Sequence, residues 1–129
     1  MNIDSTVFFL DDDAAVRDAI GISLRMSGFR VEVYASGTAF LKTYQADRPG
    51  CVLMNAILPD MHGLAVLREL NRRNCSIPVI FMTGIGIIRD LLPILRIGAF
   101  AILECPCSRH LMIESVCHAI RHDDRSRWL

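Results

Sequence analysis

The sequence predicts an α/β domain, in which five parallel strands form one doubly wound sheet and five helices cover both of its faces. Two observations predict this class. Five short, mostly apolar runs alternate along the chain with stretches in which apolar residues recur every three or four positions. In addition, 129 residues are enough for one domain with a substantial hydrophobic core.

The chain begins with a predicted strand and helix. Residues 6–10 are an apolar run typical of a strand that is buried on both faces. Asp13 can cap the helix that follows, because a carboxylate accepts hydrogen bonds from the first backbone N–H groups of a helix. Apolar residues repeat every four positions from Val16 to Leu24, and Gly28 is a natural end.

A second strand, a short helix and a third strand come next. Residues 29–34 alternate apolar and polar side chains, which indicates a strand. Ser36 can cap a short helix that carries Phe40 and Tyr44 one turn apart. Residues 51–54 form the third apolar run.

The second half of the chain repeats the alternation. A helix is predicted at 63–71 and a strand at 78–82. A weaker helix follows at 88–97, where Pro93 predicts a kink or a break. The fifth strand is predicted at 100–104.

The last predicted helix defines the end of the domain. Ser108 can cap it, and its apolar residues recur from Met112 to Ile120. We therefore expect a domain at residues 1–122 and a polar C-terminal tail at 123–129.

The composition excludes several classes of protein. Basic and acidic residues balance at 14 each, so net charge does not favour direct binding of nucleic acid or of a membrane surface. No run reaches the roughly 18 apolar residues that a membrane span needs, and the N-terminus lacks the basic region of a signal peptide. A cytoplasmic protein is expected. The five cysteines, an odd number, favour reduced thiols over a disulfide framework.

The predicted fold indicates where to look for chemistry. In open parallel sheets, ligands bind at the carboxyl ends of the strands. The residues at those ends are Asp11, Asn55, Thr83 and Cys105. Topology alone selects these positions, so their residue types can be compared with known sites.

Four segments at these strand ends carry a family resemblance. They read "FFLDDDAAVRDAI", "VLMNAILPDMHGL", "PVIFMTGIG" and "GAFAILECPC". In order and spacing they resemble the receiver domain of bacterial response regulators, over about residues 5–120. The resemblance implies a flavodoxin-like sheet with strand order 2-1-3-4-5.

Several residues match the family's phosphorylation site. Asp11 and Asp12 match the acidic pair that binds Mg²⁺, and Ile57 matches the residue whose carbonyl also reaches the metal. Thr83 matches the switch hydroxyl. Pro106 matches a proline that follows a cis peptide bond in this family.

Three residues depart from the family's pattern. Asn55 stands where the phosphorylated aspartate belongs, and an amide is a negligible nucleophile. Cys105 stands where a lysine holds the phosphoryl oxygens. Ile102 stands where an aromatic residue relays the signal, and a β-branched side chain cannot replace a rotating ring.

The paired losses leave the formal charge of the predicted pocket unchanged. Three carboxylates and a lysine sum to −2, and Asp11 and Asp12 beside two neutral residues also sum to −2. The pocket therefore needs no new counter-ion. With one carboxylate fewer, we expect at most weak binding of Mg²⁺ and no other cofactor.

The predicted fourth helix is unusually apolar. The resemblance implies that the fourth helix, fifth strand and fifth helix form a face for dimerisation and output. Some apolar side chains there should be exposed and form an interface. The candidates are Ile87, Ile88, Leu91, Leu92 and Ile94.

The sequence thus predicts an atypical receiver domain that acts in phosphorelay signalling through protein contacts and is not an enzyme. Its expected partners are a histidine kinase, an output domain or protein, or a second copy of the chain. Two alternatives stay open. One is an orthodox phosphoacceptor receiver inactivated by substitution at Asn55. The other is a metal or redox protein that uses Cys105, Cys107 and His110.

Overall fold

The computed structural model describes residues 4–128 and contains the predicted parallel sheet. Its strands are β1 Thr6–Leu10, β2 Arg30–Tyr34, β3 Gly50–Asn55, β4 Val79–Gly84 and β5 Ala101–Cys105. All neighbouring strands pair in parallel, in the order β2-β1-β3-β4-β5. The predicted fold class and strand order are confirmed.

Helices follow each strand and return the chain to the opposite edge of the sheet. They are α1 Ala14–Met26, α2 Gly37–Thr43, α3 Gly63–Arg72, α4 Ile88–Leu91, α5 Pro93–Ile97 and α6 Arg109–Trp128. The short helices α4 and α5 together occupy the place of the fourth predicted helix. They are separate segments because Pro93 begins the second one, where its missing N–H costs least.

The sheet separates two hydrophobic cores. Along β1, Phe8 faces the core formed with α2, α3, α4 and α5, whereas Val7 and Phe9 face the core formed with α1 and α6. All of β1 from Val7 to Leu10 is fully buried, and each such side chain contributes about 1.5–3 kcal/mol of transfer free energy. A strand buried on both faces has no polar alternation, which is why the run of residues 6–10 was recognisable.

The last helix is longer than predicted. It continues to Trp128, so the boundary expected at residue 122 falls inside α6. Asp123, placed in the predicted polar tail, is 1% exposed and accepts a hydrogen bond from the backbone N of Gly50 at 2.9 Å. Asp123 and Arg127 therefore join the last turns of α6 to the start of β3 and the loop before it.

Two smaller predictions concern covalent structure. All five cysteines are free thiols, as expected. The Cys105–Pro106 peptide bond is cis, as the resemblance implied.

None of the helices formed by residues 4–128 is long and apolar enough to cross a membrane.

Candidate functional site at the carboxyl edge of the sheet

Asp11 follows β1 and is the buried member of the acidic run. It is 7% exposed, and its Oδ1 accepts a hydrogen bond from the backbone N of Asp13 at 2.9 Å. Burial is the main cause that raises the pKa of Asp11, and the charges of Asp12 and Asp13 raise it further. The hydrogen bond from Asp13 and the charge of Arg17 oppose this shift.

The other two carboxylates have different positions. Asp12 is exposed to solvent. Asp13 is the N-cap of α1, as predicted, and its Oδ1 accepts from the backbone N of Ala15 at 2.9 Å and of Val16 at 3.2 Å. The acidic run therefore supplies one buried carboxylate, one solvated carboxylate and one helix cap.

Asn55 ends β3 and is half-buried. Its Oδ1 accepts a hydrogen bond from the backbone N of Ile57 at 3.1 Å, so the amide closes the turn after the strand. Ile57 itself is 54% exposed. The amide oxygen thus has a structural role that requires no nucleophile.

Thr83 and Cys105 lie on neighbouring strands. Thr83 near the end of β4 is 5% exposed, and the register places Gly84 opposite Cys105. The Sγ of Cys105 lies 3.8 Å from the carbonyl oxygen of Leu103 and 3.8 Å from the Sγ of Cys107. Burial, followed by the neighbouring Cys107 thiol, raises the pKa of Cys105 to about 11. Cys105 is therefore a neutral thiol at physiological pH.

These strand ends open into one cavity of about 450 Å³ between α1 and the start of α6. Five of the predicted site residues line it: Asp11, Asn55, Thr83, Cys105 and Pro106. Asp12, Ile57 and Ile102 do not. Ile102 pairs with Phe81 and packs against the core on the opposite face of the sheet.

Sequence reasoning missed several residues of this site. Ala19, Ile20 and Ser23 of α1 line the cavity, and their helical spacing could have indicated that one face of α1 points toward it. Arg17 was also missed. Its Nη1 donates a hydrogen bond to the backbone O of Asp11 at 2.8 Å, which places a cation beside the acidic run.

Comparison with known proteins agrees with this geometry. The profile of the response regulator receiver domain matches residues 7–117. This chain belongs to the response regulator receiver family. Receiver domains typically bind Mg²⁺ at the phosphorylation site, which in this fold lies at the edge described above.

Individual relatives extend the similarity over nearly the whole receiver. The transcriptional regulatory protein FixJ of Rhizobium meliloti (strain 1021) is 33% identical over 119 residues, which is 92% of this chain and 58% of FixJ. The response regulator protein TodT of Pseudomonas putida is 30% identical over 117 residues, 91% of this chain and 52% of TodT. The chain therefore spans about half the length of these relatives.

Solved structures of related receivers superpose closely. The crystal structure of FixJ-N gives a TM-score of 0.88 at 33% identity and covers 95% of this chain and 97% of that one. The response regulator StyR gives 0.91 at 26% identity and covers 97% of this chain and 63% of that one.

The acidic edge of this receiver suits a cation only partly. Burial, and after it the charges of Asp12 and Asp13, raises the pKa of Asp11. A hard cation would offset both effects, and Asp11, Asp12 and the carbonyl of Ile57 are the groups that would hold it. Within residues 4–128, however, no three His, Cys, Asp or Glu side chains form a group that could hold a metal ion. Asp11 and Asp12 therefore supply two carboxylates, the ligand type that Mg²⁺ prefers.

The predicted interface of this receiver is only partly exposed. Leu91 and Ile94 are 7% and 6% exposed because they face the sheet, so they are not available to a partner. Ile87 and Leu92 are 38% and 48% exposed, and Ile88 is half-buried. The structure adds two exposed residues that were not predicted, Ile85 at 71% and Leu95 at 40%.

The predicted cluster of two cysteines and a histidine is not formed. The side chain of His110 is 88% exposed, and its Nε2 lies 3.2 Å from Oε2 of Glu114, one turn along α6. His110 is therefore oriented along the outer surface of α6.

Proposed function

We propose that this receiver acts in phosphorelay signalling without being phosphorylated itself. The observation that carries the proposal is the uncharged amide of Asn55, which lies on the cavity wall and bonds the N–H of Ile57. An amide has the shape of a carboxylate but does not attack a phosphoryl group. The carboxyl edge of the sheet thus resembles the family's phosphorylation site in fold but has no nucleophile at the end of β3.

The thiol of Cys105 supports the same proposal. A phosphoryl group at this edge needs a fixed positive charge, and Cys105 is neutral. The only lysine of the sequence is Lys42, near the C-terminal end of α2. A helix that follows a parallel strand runs back along the sheet, so Lys42 lies toward the opposite edge.

Restoring both groups is expected to restore phosphorylation. In the presence of Mg²⁺ and a small acyl phosphate donor, we expect no acyl phosphate on the wild-type receiver. The Asn55→Asp/Cys105→Lys variant should be labelled at least ~100-fold faster than Asn55→Asp alone, because one electrostatic donor is typically worth 10²–10³ in rate. The measurement is hydroxylamine-labile phosphate per chain against time, with Asn55→Ala as the control.

The single variant separates this proposal from the alternative. If Asn55→Asp alone is labelled as fast as the double variant, the chain is an orthodox receiver inactivated only at Asn55, and our account of Cys105 is wrong.

We further propose that Asp11 and Asp12 bind Mg²⁺ weakly. The pKa of the Asp11 carboxyl in the folded protein lies above its ordinary value of 3.8. The folded protein therefore loses stability as the pH rises through that folded pKa and the carboxyl ionises. Asp11→Asn should therefore increase the free energy of unfolding at pH 7, and this gain should disappear below pH 3.8. Millimolar Mg²⁺ should stabilise the wild type and not this variant in thermal melts. An equal increase in melting temperature with Mg²⁺ in the wild type and in Asp11→Asn would contradict a Mg²⁺ site at Asp11.

We propose that the protein acts through a contact surface formed by Ile85, Ile87, Leu92 and Leu95. These exposed apolar side chains lie within residues 85–95, in and just before α4 and α5, and exposed apolar patches typically mark interaction sites. The partner would be a second copy, an output domain or protein, or a histidine kinase. The balanced charge of the chain favours a protein over nucleic acid.

For a homodimer we expect a mass above that of one chain in sedimentation equilibrium at micromolar concentration. Leu92→Lys should weaken association at least ~10-fold, because it places a charge in the apolar contact. Met26→Lys on α1, at a side chain 77% exposed, is the matched control and should leave the mass unchanged. A monomeric wild type at all concentrations would contradict the homodimer.

A further inference from the structure

Four sulfur-containing side chains line the cavity between α1 and α6. They are Met82, Cys105, Cys107 and Met112. The methionines come from β4 and α6, and the two cysteines flank Pro106. All four pack within or against the same hydrophobic core. The cavity is thus an apolar space with two thiols and two thioethers in its wall.

The two thiols have the separation that a bound metal ion requires. Their Sγ atoms are 3.8 Å apart, and both cysteines are half-buried free thiols. A metal about 2.3 Å from each sulfur would span this distance with an angle of about 110° at the metal. The loop between β5 and α6 therefore holds the two sulfurs at a separation that one metal ion can bridge.

The charges around the cavity favour a cation. Asp11 lines the same wall and contributes negative charge to the cavity once it is ionised. A cation bound between the two sulfurs replaces their protons and is attracted by the thiolates that form. Arg109 at the rim donates to Ser23 and Ser27 and adds one positive charge near the resulting thiolates.

The ligand set selects a soft ion. Structural zinc sites need four strong ligands. In the described part of the chain no third His, Cys, Asp or Glu joins the thiol pair, and His110 is engaged by Glu114. Thiolate and thioether sulfur favour Cu(I), which is stable with few ligands.

We propose that Cys105 and Cys107 bind one Cu(I) ion in this cavity, with a thioether of Met82 or Met112 as a further ligand. Each thiol loses its proton to solvent as its Cu–S bond forms, so two protons are released for each ion bound. No oxidation or reduction of the protein takes place. The proposal concerns these sulfur atoms and does not depend on whether the receiver is phosphorylated.

The test is an anaerobic titration of the reduced full chain with Cu(I) against a colorimetric chelator of known affinity. We expect one equivalent bound, two protons released per ion, and an X-ray absorption spectrum with only sulfur neighbours. Cys107→Ser and Cys105→Ser should each lower the affinity at least ~100-fold, since each removes a primary ligand. Cys117→Ser, a half-buried thiol elsewhere on α6, is the matched control and should bind like the wild type.

Several results would overturn the proposal. One is unchanged affinity in both serine variants, each checked for wild-type circular dichroism and melting. Another is a preference of the wild type for Zn(II) over Cu(I) at this pair. Unchanged affinity in the Met82→Leu/Met112→Leu variant would show that neither thioether is a ligand.

Discussion

The Gly50→Ala variant is expected to lose about 3–5 kcal/mol of unfolding free energy, which is at the upper end for a single substitution. Gly50 begins β3 with a φ of 140°, and a Cβ at this position would lie 1.8 Å from the carbonyl oxygen of Thr6. Thr6 pairs with Gly50 in the register between β1 and β3. The central strands of the sheet would have to separate locally to admit one methyl group.

Gly28 provides a matched control for this prediction. It ends the turn after α1 with a φ of 96°, and nothing lies within 4 Å of the position of its Cβ. Gly28→Ala therefore has the backbone strain without the steric clash and should cost only about 1–2 kcal/mol. The measurement is urea denaturation of both variants, in which the difference between them reports the clash. Equal losses of unfolding free energy in the two variants would mean that backbone strain alone, without the clash, explains the effect of Gly50→Ala.

The central strands were predictable because local sequence determines them. β1 matches the predicted residues, and β3 and β4 differ by only one or two residues at their ends. A parallel strand covered on both faces must be apolar throughout, and this pattern needs no knowledge of distant residues. The strand-end rule then placed Asp11, Asn55, Thr83 and Cys105 at one edge, where all four line the same cavity.

The cavity itself was not predictable from local patterns. Its size depends on how closely α1 approaches the loop into α6, and no periodicity reports that distance. The 3.8 Å distance between the Sγ atoms of Cys105 and Cys107 depends on the backbone conformation at Pro106, the one residue between them. Likewise Leu91 and Ile94 were grouped with exposed neighbours, because an apolar run interrupted by Pro93 does not show which side faces the sheet.

The extension of α6 beyond residue 122 was not predictable for a related reason. Residues 121–127 are polar, and polarity at a chain end usually indicates solvent. Here Asp123 and Arg127 are one helical turn apart, and their contacts reach residues 73 or more positions away in sequence. A pair at this spacing is usually a weak surface interaction. Only the three-dimensional packing shows that this carboxylate is buried.

The Arg127→Met variant is the second substitution with a large expected effect. The Oδ2 of Asp123 accepts a hydrogen bond from Nε of Arg127 at 2.7 Å and from the backbone N of Gly50 at 2.9 Å. Arg127 also donates to the carbonyl oxygens of Ala46 at 3.0 Å and Arg48 at 2.9 Å. The guanidinium therefore joins the end of α6 to the loop before β3.

Removing Arg127 leaves a buried carboxylate without its counter-ion. The side chain of Asp123 is 1% exposed, and its Oδ1 already lacks a hydrogen-bond partner. Loss of one member of a buried ion pair typically costs about 3–5 kcal/mol, and we expect Arg127→Met to fall in this range. Arg127→Lys keeps the charge but loses the forked donors, so its cost should be smaller, about 1–2 kcal/mol.

The Asp123→Asn/Arg127→Met variant distinguishes a charge effect from a packing effect. An amide at residue 123 still accepts the hydrogen bond from Gly50 and carries no charge, so the double variant should be more stable than Arg127→Met alone. Urea denaturation of the wild type, both single variants and the double variant gives the coupling energy, which we expect to be at least about 1 kcal/mol. Additive losses would show that the charges of Asp123 and Arg127 do not stabilise each other, which would contradict the buried ion pair.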